Sequence, residues 1–205
     1  CCGSNISISQ DSINIGSNGW YGVFEHAVSL SSDGNTVAIG NVGGDVSGVG
    51  QAFVFEKINN VWQPLGGYLP GLTASGNWQD ATGGLFGKSI SLNDDGSVVA
   101  VGGVGAGGFT CIYNYVGPDW FQIGQVIYSD NYGDVLGFSV SLSSDGYTLA
   151  IGGPYNDGNG SNSGHVRIYN YNGSVWSHFG QDIDGEAGGD QSGYSVSLSS
   201  DGNTV

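Results

Sequence analysis

Four carboxylates, Asp182, Asp184, Glu186 and Asp190, crowd the short stretch DIDGEAGGD at 182–190. Oxygen ligands at that density suit a hard cation such as calcium, which takes about six to eight of them. A second stretch rich in oxygen, NDGNGSNSG at 156–164, carries Asp157 and Asn159 among its ligand-type side chains. A solvated acidic loop is the ordinary alternative in both places. The sequence therefore requires no cofactor, and calcium at Asp182, Asp184, Glu186 and Asp190 is the candidate. Four other aspartates recur with a glycine behind each: Asp33–Gly34, Asp95–Gly96, Asp145–Gly146 and Asp201–Gly202. Glycine supplies the positive φ of a tight hairpin, and the preceding carboxylate bonds the turn's own amides. Those pairs read as structural turns rather than catalytic groups.

Catalytic constellations are hard to assemble from the remaining residues. The cations are Lys57, Lys88 and Arg167, and the histidines are His26, His165 and His178, each in a strand pattern. A sialidase-like glycosidase holds its substrate's carboxylate with several arginines. No Gly-x-Ser-x-Gly elbow, phosphate loop or metal-spaced histidine pair occurs. The chain reads as a non-enzyme. Its net charge of −15 makes nucleic acid and anionic membrane surfaces poor partners, and no apolar run approaches the ~18 residues of a membrane helix. Cys1 and Cys2 are adjacent and poorly placed to pair with each other. Cys111 lies in the apolar pattern FTCIYNY, where a buried free thiol is expected.

The elements that position these residues repeat. With 40 glycines, few helix formers, and Val, Ile, Thr and aromatics alternating with Ser and Gly, the chain reads as all-β. The phrase AVSLSSDGNTVAIGN from Ala27 returns as SISLNDDGSVVAVGG from Ser89, as SVSLSSDGYTLAIGG from Ser139, and as SVSLSSDGNTV from Ser195. The turn aspartates are spaced by 62 (95 − 33), 50 (145 − 95) and 56 (201 − 145) residues. Such a period holds about four short strands, one propeller blade. A second phrase keeps step, ending each time in Trp, two residues, an apolar residue and Gly, so Trp62, Trp120 and Trp176 are equivalent packing positions. The fold class is all-β, a β-propeller of four-stranded antiparallel blades of about 50–60 residues. Units at 20–66, 85–124 and 135–180 are complete, and a split or truncated fourth combines 191–205 with 4–11. In the third unit the strands are Phe138–Leu142, Thr148–Gly152, His165–Tyr171 and Val175–Gly180. Phe138, Val140 and Leu142 point to one side of the first strand, Ser139 and Ser141 to the other. A bulky face and a small face let blades stack on one another.

With the units aligned, LFGKSISL with VAVGG, and LGFSVSL with LAIGGP, resemble the two halves of the FG-GAP repeat, the blade of integrin alpha propellers. The resemblance covers about residues 20–205. It implies an extracellular or surface recognition propeller that binds a protein or glycan through its loops. In calcium-binding members the first hairpin is an acidic loop, whereas here it has shrunk to SSDGNT, so calcium does not carry over to Asp33, Asp95, Asp145 or Asp201. Trp78, Tyr155, Asp157 and Asn159 are the binding-loop candidates, in the long segments 40–50, 67–84 and 154–164. The alternative is a structural block of a fibre, sheath or particle, with copies of the chain as partners. Triplets at Asn5, Asn159 and Asn172 permit glycosylation in a secretory route. SNISISQD at 4–11 alternates as a strand where an outer strand of a shared blade is expected. A longer propeller of six to eight blades, a closed four-bladed ring, and completion by a neighbouring molecule are the three expected arrangements.

Overall fold

The computed structural model describes residues 5–9, 12–16, 26–42, 50–69 and 84–205. The strands, in order, are β1 (Asn5–Ser9), β2 (Ser12–Gly16), β3 (His26–Leu30), β4 (Thr36–Asn41), β5 (Gln51–Ile58), β6 (Val61–Pro64), β7 (Ser89–Leu92) and β8 (Val98–Gly103). There follow β9 (Phe109–Val116), β10 (Asp119–Gln122), β11 (Ile127–Tyr128), β12 (Ser139–Leu142), β13 (Thr148–Gly153), β14 (His165–Tyr171), β15 (Trp176–His178) and β16 (Ile183–Asp184). A single 3-10 turn at Gly105–Gly107 is the one helical element among the described residues. Three antiparallel sheets run β3-β4-β5-β6, β7-β8-β9-β10 and β12-β13-β14-β15. These are consecutive propeller blades, each made of neighbours in sequence, as the 50–62-residue spacing requires.

The SSDG turns form as their residue types dictate. Asp33 Oδ1 accepts from Ser31 Oγ (2.7 Å) and the Asn35 amide (2.9 Å), and Oδ2 accepts from Asn35 Nδ2 (2.9 Å). Asp201 makes the same three bonds with Ser199 and Asn203. Asp145 accepts from Ser143 Oγ and the Tyr147 amide, and Asp95 from Ser97 through both its amide and its hydroxyl. Gly34, Gly96, Gly146 and Gly202 all have φ between 69° and 73°. Hydrogen bonds from the Ser31 and Ser199 hydroxyls, then from the Asn35 and Asn203 amides, hold Asp33 and Asp201 down at about 2 from an ordinary 3.8. The folded value is the depressed one, so this contribution is complete above pH ~3.8 and is lost as pH falls through about 2. Carboxyl carbon NMR titration is expected to give midpoints near 2 for both groups; midpoints at the unperturbed value would show that the turn bonds do not form in solution.

Two cores lie between blades. Ala38, Ala52, Val54 and Leu65 of the first blade pack with Phe86, Ile90, Leu92, Val99, Tyr113 and Trp120 of the second. Val98, Ala100 and Ile112 of the second pack with Val140, Leu142, Leu149, Tyr169 and Trp176 of the third. The small face of each blade thus receives the bulky face of the next. Backbone groups reinforce the stacking: the Leu92 amide donates to Ser29 Oγ (2.9 Å), Leu142 to Ser91 Oγ (3.0 Å) and Leu198 to Ser141 Oγ (2.9 Å). The serine face is small because it must also reach the neighbouring backbone. Trp120 Nε1 donates to the Leu65 carbonyl (2.8 Å), and Trp176 Nε1 to that of Ile123 (3.2 Å). A Cβ on Gly66 or Gly124 would stand 2.9 or 2.7 Å from the indole of the next blade. The glycine after each Trp-x-x-apolar run is therefore the seat of the following tryptophan.

Two features depart from the four-strand expectation. The outer edge of the second and third blades is interrupted and then resumes, with β11 pairing β9 and β16 pairing β14 beyond β10 and β15. The segment 4–11, read as one outer strand, contributes β1 to a hairpin whose second strand is β2.

Candidate functional site

In each sheet the second-to-third-strand connection and the exit of the outer strand leave from the same end. At the third blade this brings loop 154–164 beside 181–190. His165 opens β14, and β16 lies antiparallel to it with His165 opposite Asp184. Ligand atoms of His165, Asp182 and Asp184 consequently lie within 4.8 Å of one another. His165 is buried, Asp182 half-buried and Asp184 exposed.

Arg167, two residues along β14 from His165 and so on the same face, supplies a permanent positive charge. Its Nε donates to Asp182 Oδ2 (2.9 Å) and its Nη1 to Asp130 Oδ2 (2.6 Å). Asp182 Oδ2 also faces His165 Nδ1 (3.3 Å), and Asp182 Oδ1 faces His178 Nε2 (3.1 Å). Burial and then the neighbouring Arg167 charge lower the His165 pKa, against the opposing carboxylates Asp182, Asp134 and Asp184. The ring is accordingly neutral near pH 7, and its Nε2 is buried without a hydrogen-bond partner. Burial works against the Arg167 charge, but hydrogen bonds to Asp130 and Asp182 outweigh it and raise its pKa.

The candidate calcium ligands are divided by this arrangement. Asp182 and Asp184 join His165, while Asp190 Oδ2 accepts from the Ala187 amide (2.7 Å) within its own turn, and Glu186 is exposed. The donor set is an imidazole and two carboxylates, one of them already serving a guanidinium. Calcium prefers oxygen alone, so Arg167 and His165 weaken the site for that ion. At the SSDG turns both oxygens of Asp33 and of Asp201 are taken by turn donors. Reading carboxylates alone overlooked His165, Arg167 and Asp130; the strand alternation that places His165 and Arg167 on one face was available in HVRIYNY.

Loop 154–164 is organised by its own polar side chains. Asn156 Nδ2 donates to the buried Asp134 (3.0 Å) and Asn156 Oδ1 accepts from the Gly158 amide. Asp157 Oδ1 accepts from the Asn162 amide (2.8 Å), and Asn159 Nδ2 donates to the Gly185 carbonyl (3.0 Å). Asp157 and Asn159 are exposed on this ordered loop, whereas Tyr155 is half-buried with its ring edge-on to Phe138. Trp78, with residues 43–49 of the loop 40–50 and 70–83 of the loop 67–84, lies outside the described residues. Cys111 is a buried free thiol, its pKa pushed up to about 12 by burial, which makes it unreactive. No helix among the described residues is long and apolar enough to cross a membrane.

Residues 120–169 match the family model described as the FG-GAP repeat, from Trp120 of the second blade to Tyr169 of the third. No match was found among curated proteins. Among solved structures, the chain is similar to a protein assigned as a 6-phosphogluconolactonase from Bacteroides fragilis, with 17% identity and a TM-score of 0.50 over 85% of this chain and 49% of that one. It is similar also to a protein of the same assignment from Bacteroides uniformis, with 15% identity and a TM-score of 0.52 over 83% of this chain and 46% of that one. The chain thus spans about half the length of these structures. At such identities the likeness is one of fold.

Proposed function

Because the chain carries an FG-GAP repeat on propeller blades, we propose that it is a non-enzymatic recognition domain that binds a protein or glycan through the loops at one end of its blades, outside the cell or on a surface. The observation that carries this reading is the FG-GAP match across the second and third blades, a repeat of propeller-type protein-binding domains. Loop 154–164 supports it, since its exposed Asp157 and Asn159 are themselves held, Asp157 Oδ1 by the Asn162 amide and Asn159 Nδ2 by the Gly185 carbonyl, while Asn156 ties the loop to Asp134. A preorganised polar loop loses little entropy on binding. The test is binding of the immobilised chain to panels of glycans and secreted proteins. A ligand is expected whose affinity falls at least about tenfold in an Asp157→Ala, Asn159→Ala double variant, a loss of ~1.4 kcal/mol. Ligands insensitive to that variant would move the site elsewhere, and hydrolysis of 6-phosphogluconolactone by the chain would overturn the non-enzymatic reading.

The finer proposal for the acidic cluster is a calcium ion bound through Asp182 and Asp184, weakly, with a dissociation constant on the order of 10⁻³ M. Millimolar calcium is then expected to raise the melting temperature by a degree or two, and Asp184→Asn to remove the rise. An unchanged melting temperature in calcium and in chelator would leave the cluster as an ion-pair clasp holding β14, Asp130 and Asp182 together. The second reading is a structural block that assembles with copies of itself, and ordered self-association without a ligand is the observation that would favour it.

A further inference from the structure

Asparagine or aspartate followed by glycine is the step at which a chain can rewrite its own backbone. The glycine amide nitrogen attacks the side-chain carbonyl carbon, and glycine has no Cβ to obstruct the approach. The described residues hold two asparagine steps, Asn159–Gly160 and Asn172–Gly173, and six aspartate steps, at Asp33, Asp95, Asp145, Asp157, Asp184 and Asp201. Asn18–Gly19 lies outside the described residues.

The fold engages the attacking amide at every described step but one. Gly34, Gly96, Gly146 and Gly202 donate to the carbonyls of Ser31, Asn93, Ser143 and Ser199 within their own turns. Gly185 donates to the Gly164 carbonyl, Gly160 to that of Asp157, and Gly158 to Asn156 Oδ1. Asn159 is held twice over, because its Nδ2 also donates to the Gly185 carbonyl (3.0 Å).

Gly173 is the exception. Its amide makes no hydrogen bond within the protein, and a Cβ built on it would meet nothing within 4 Å. It lies in the connection between β14 and β15 with a φ of 93°. Asn172 before it is exposed, and its Nδ2, the group that would leave, makes no bond within the protein. Asn172 Oδ1 accepts from the amides of Ser174 and Val175, both at 3.0 Å. Two backbone donors on one carbonyl oxygen draw electrons from its carbon and stand where negative charge develops on attack, as in an oxyanion hole. The exposure is a property of the hairpin, since the matching residues 116–119 of the second blade are exposed with a blade after them.

We propose that Asn172 is a site of spontaneous covalent modification. The Gly173 nitrogen bonds to Asn172 Cγ, the Cγ–Nδ2 bond breaks, and Nδ2 leaves as ammonia with the proton from the Gly173 amide. Water then opens the succinimide ring at one of its two carbonyls, giving aspartate or an isoaspartate in which the main chain runs through the side-chain carbon. Water is the one co-reactant. Either product adds a negative charge to a chain already at −15, and isoaspartate adds a methylene to the backbone of the hairpin that carries Trp176. The site is independent of any ligand bound by the loops.

The two described asparagine steps share the triplet Asn-Gly-Ser, at 159–161 and 172–174, so the chain holds its own control. The test is to age the folded chain in mildly alkaline buffer and follow each triplet by peptide mass spectrometry, with an isoaspartyl methyltransferase and a labelled methyl donor to mark isoaspartate. Asn172 is expected to convert at least about tenfold faster than Asn159, a small share of what backbone donors contribute in an oxyanion hole. In denaturant the two triplets are expected to convert at the same rate, which assigns the difference to the fold. Asn172→Gln, an exposed and uncharged replacement, is expected to remove most of the methyl acceptance of the aged chain. Equal rates in the folded chain, faster conversion at Asn159, or an Asn172 that stays an amide while the denatured chain converts would each overturn the proposal.

Discussion

Trp176→Ala is expected to cost about 3–5 kcal/mol of unfolding free energy, the range for a fully buried large aromatic replaced by alanine. The indole is 2% exposed, packs at a ring distance of 5.0 Å from Tyr171, and donates to the Ile123 carbonyl of the blade before it. Its removal empties the middle of the second-to-third-blade core and leaves that carbonyl without its indole donor. The bonds from Gln125 to the Trp176 backbone, at 2.6 and 3.1 Å, survive the substitution, so the loss measures the side chain. Trp62→Ala, at a half-buried indole, is expected to cost less than half as much. Urea or thermal unfolding of both variants beside the parent decides the matter, and equal losses would show that position in the stack is not what governs the tryptophans.

Gly102→Val is expected to destabilise by about 3 kcal/mol or more, the upper end for overpacking. A Cβ at this position would overlap the Gly137 carbonyl oxygen and Ser89 Oγ, which themselves share a hydrogen bond of 2.8 Å across the two blades. Neither obstacle is the flexible end of a long side chain, so the third blade would have to move away. Gly67→Ala is the control: its nearest neighbour is Asp119 Oδ1 at 3.9 Å, and a change within ~0.5 kcal/mol is expected. If Gly102→Val melts with the parent, the close approach of Gly102 to Gly137 does not exist in solution.

Much of the blade was legible because its reasons are local. Alternation set which side of β12 is bulky, Asp-Gly set the hairpins, and the recurring tryptophan marked the outer strand, all within a few residues of chain. The reason for the glycine four positions after each tryptophan was not legible, because it depends on a side chain from the next blade, 54 residues on for Gly66 and Trp120 (120 − 66). The seat at Gly124 is hidden for the same cause, since the side chain it receives, Trp176, comes from the next blade.

The candidate site divides along the same line. The sequence by itself determined that carboxylates are dense at 182–190, that the turn aspartates are consumed by their own hairpins, and that cations are too scarce to neutralise the chain. Tertiary structure alone decided which carboxylates meet. Pairing β16 with β14 sets Asp184 opposite His165 and brings Asp182 to Arg167, while Asp130 arrives from the connection between blades. Glu186 and Asp190, nearer in sequence, are turned into solvent and into a turn. A carboxylate's neighbours along the chain are set by spacing, but the charge that claims it is set by strand register, which only the folded sheet fixes.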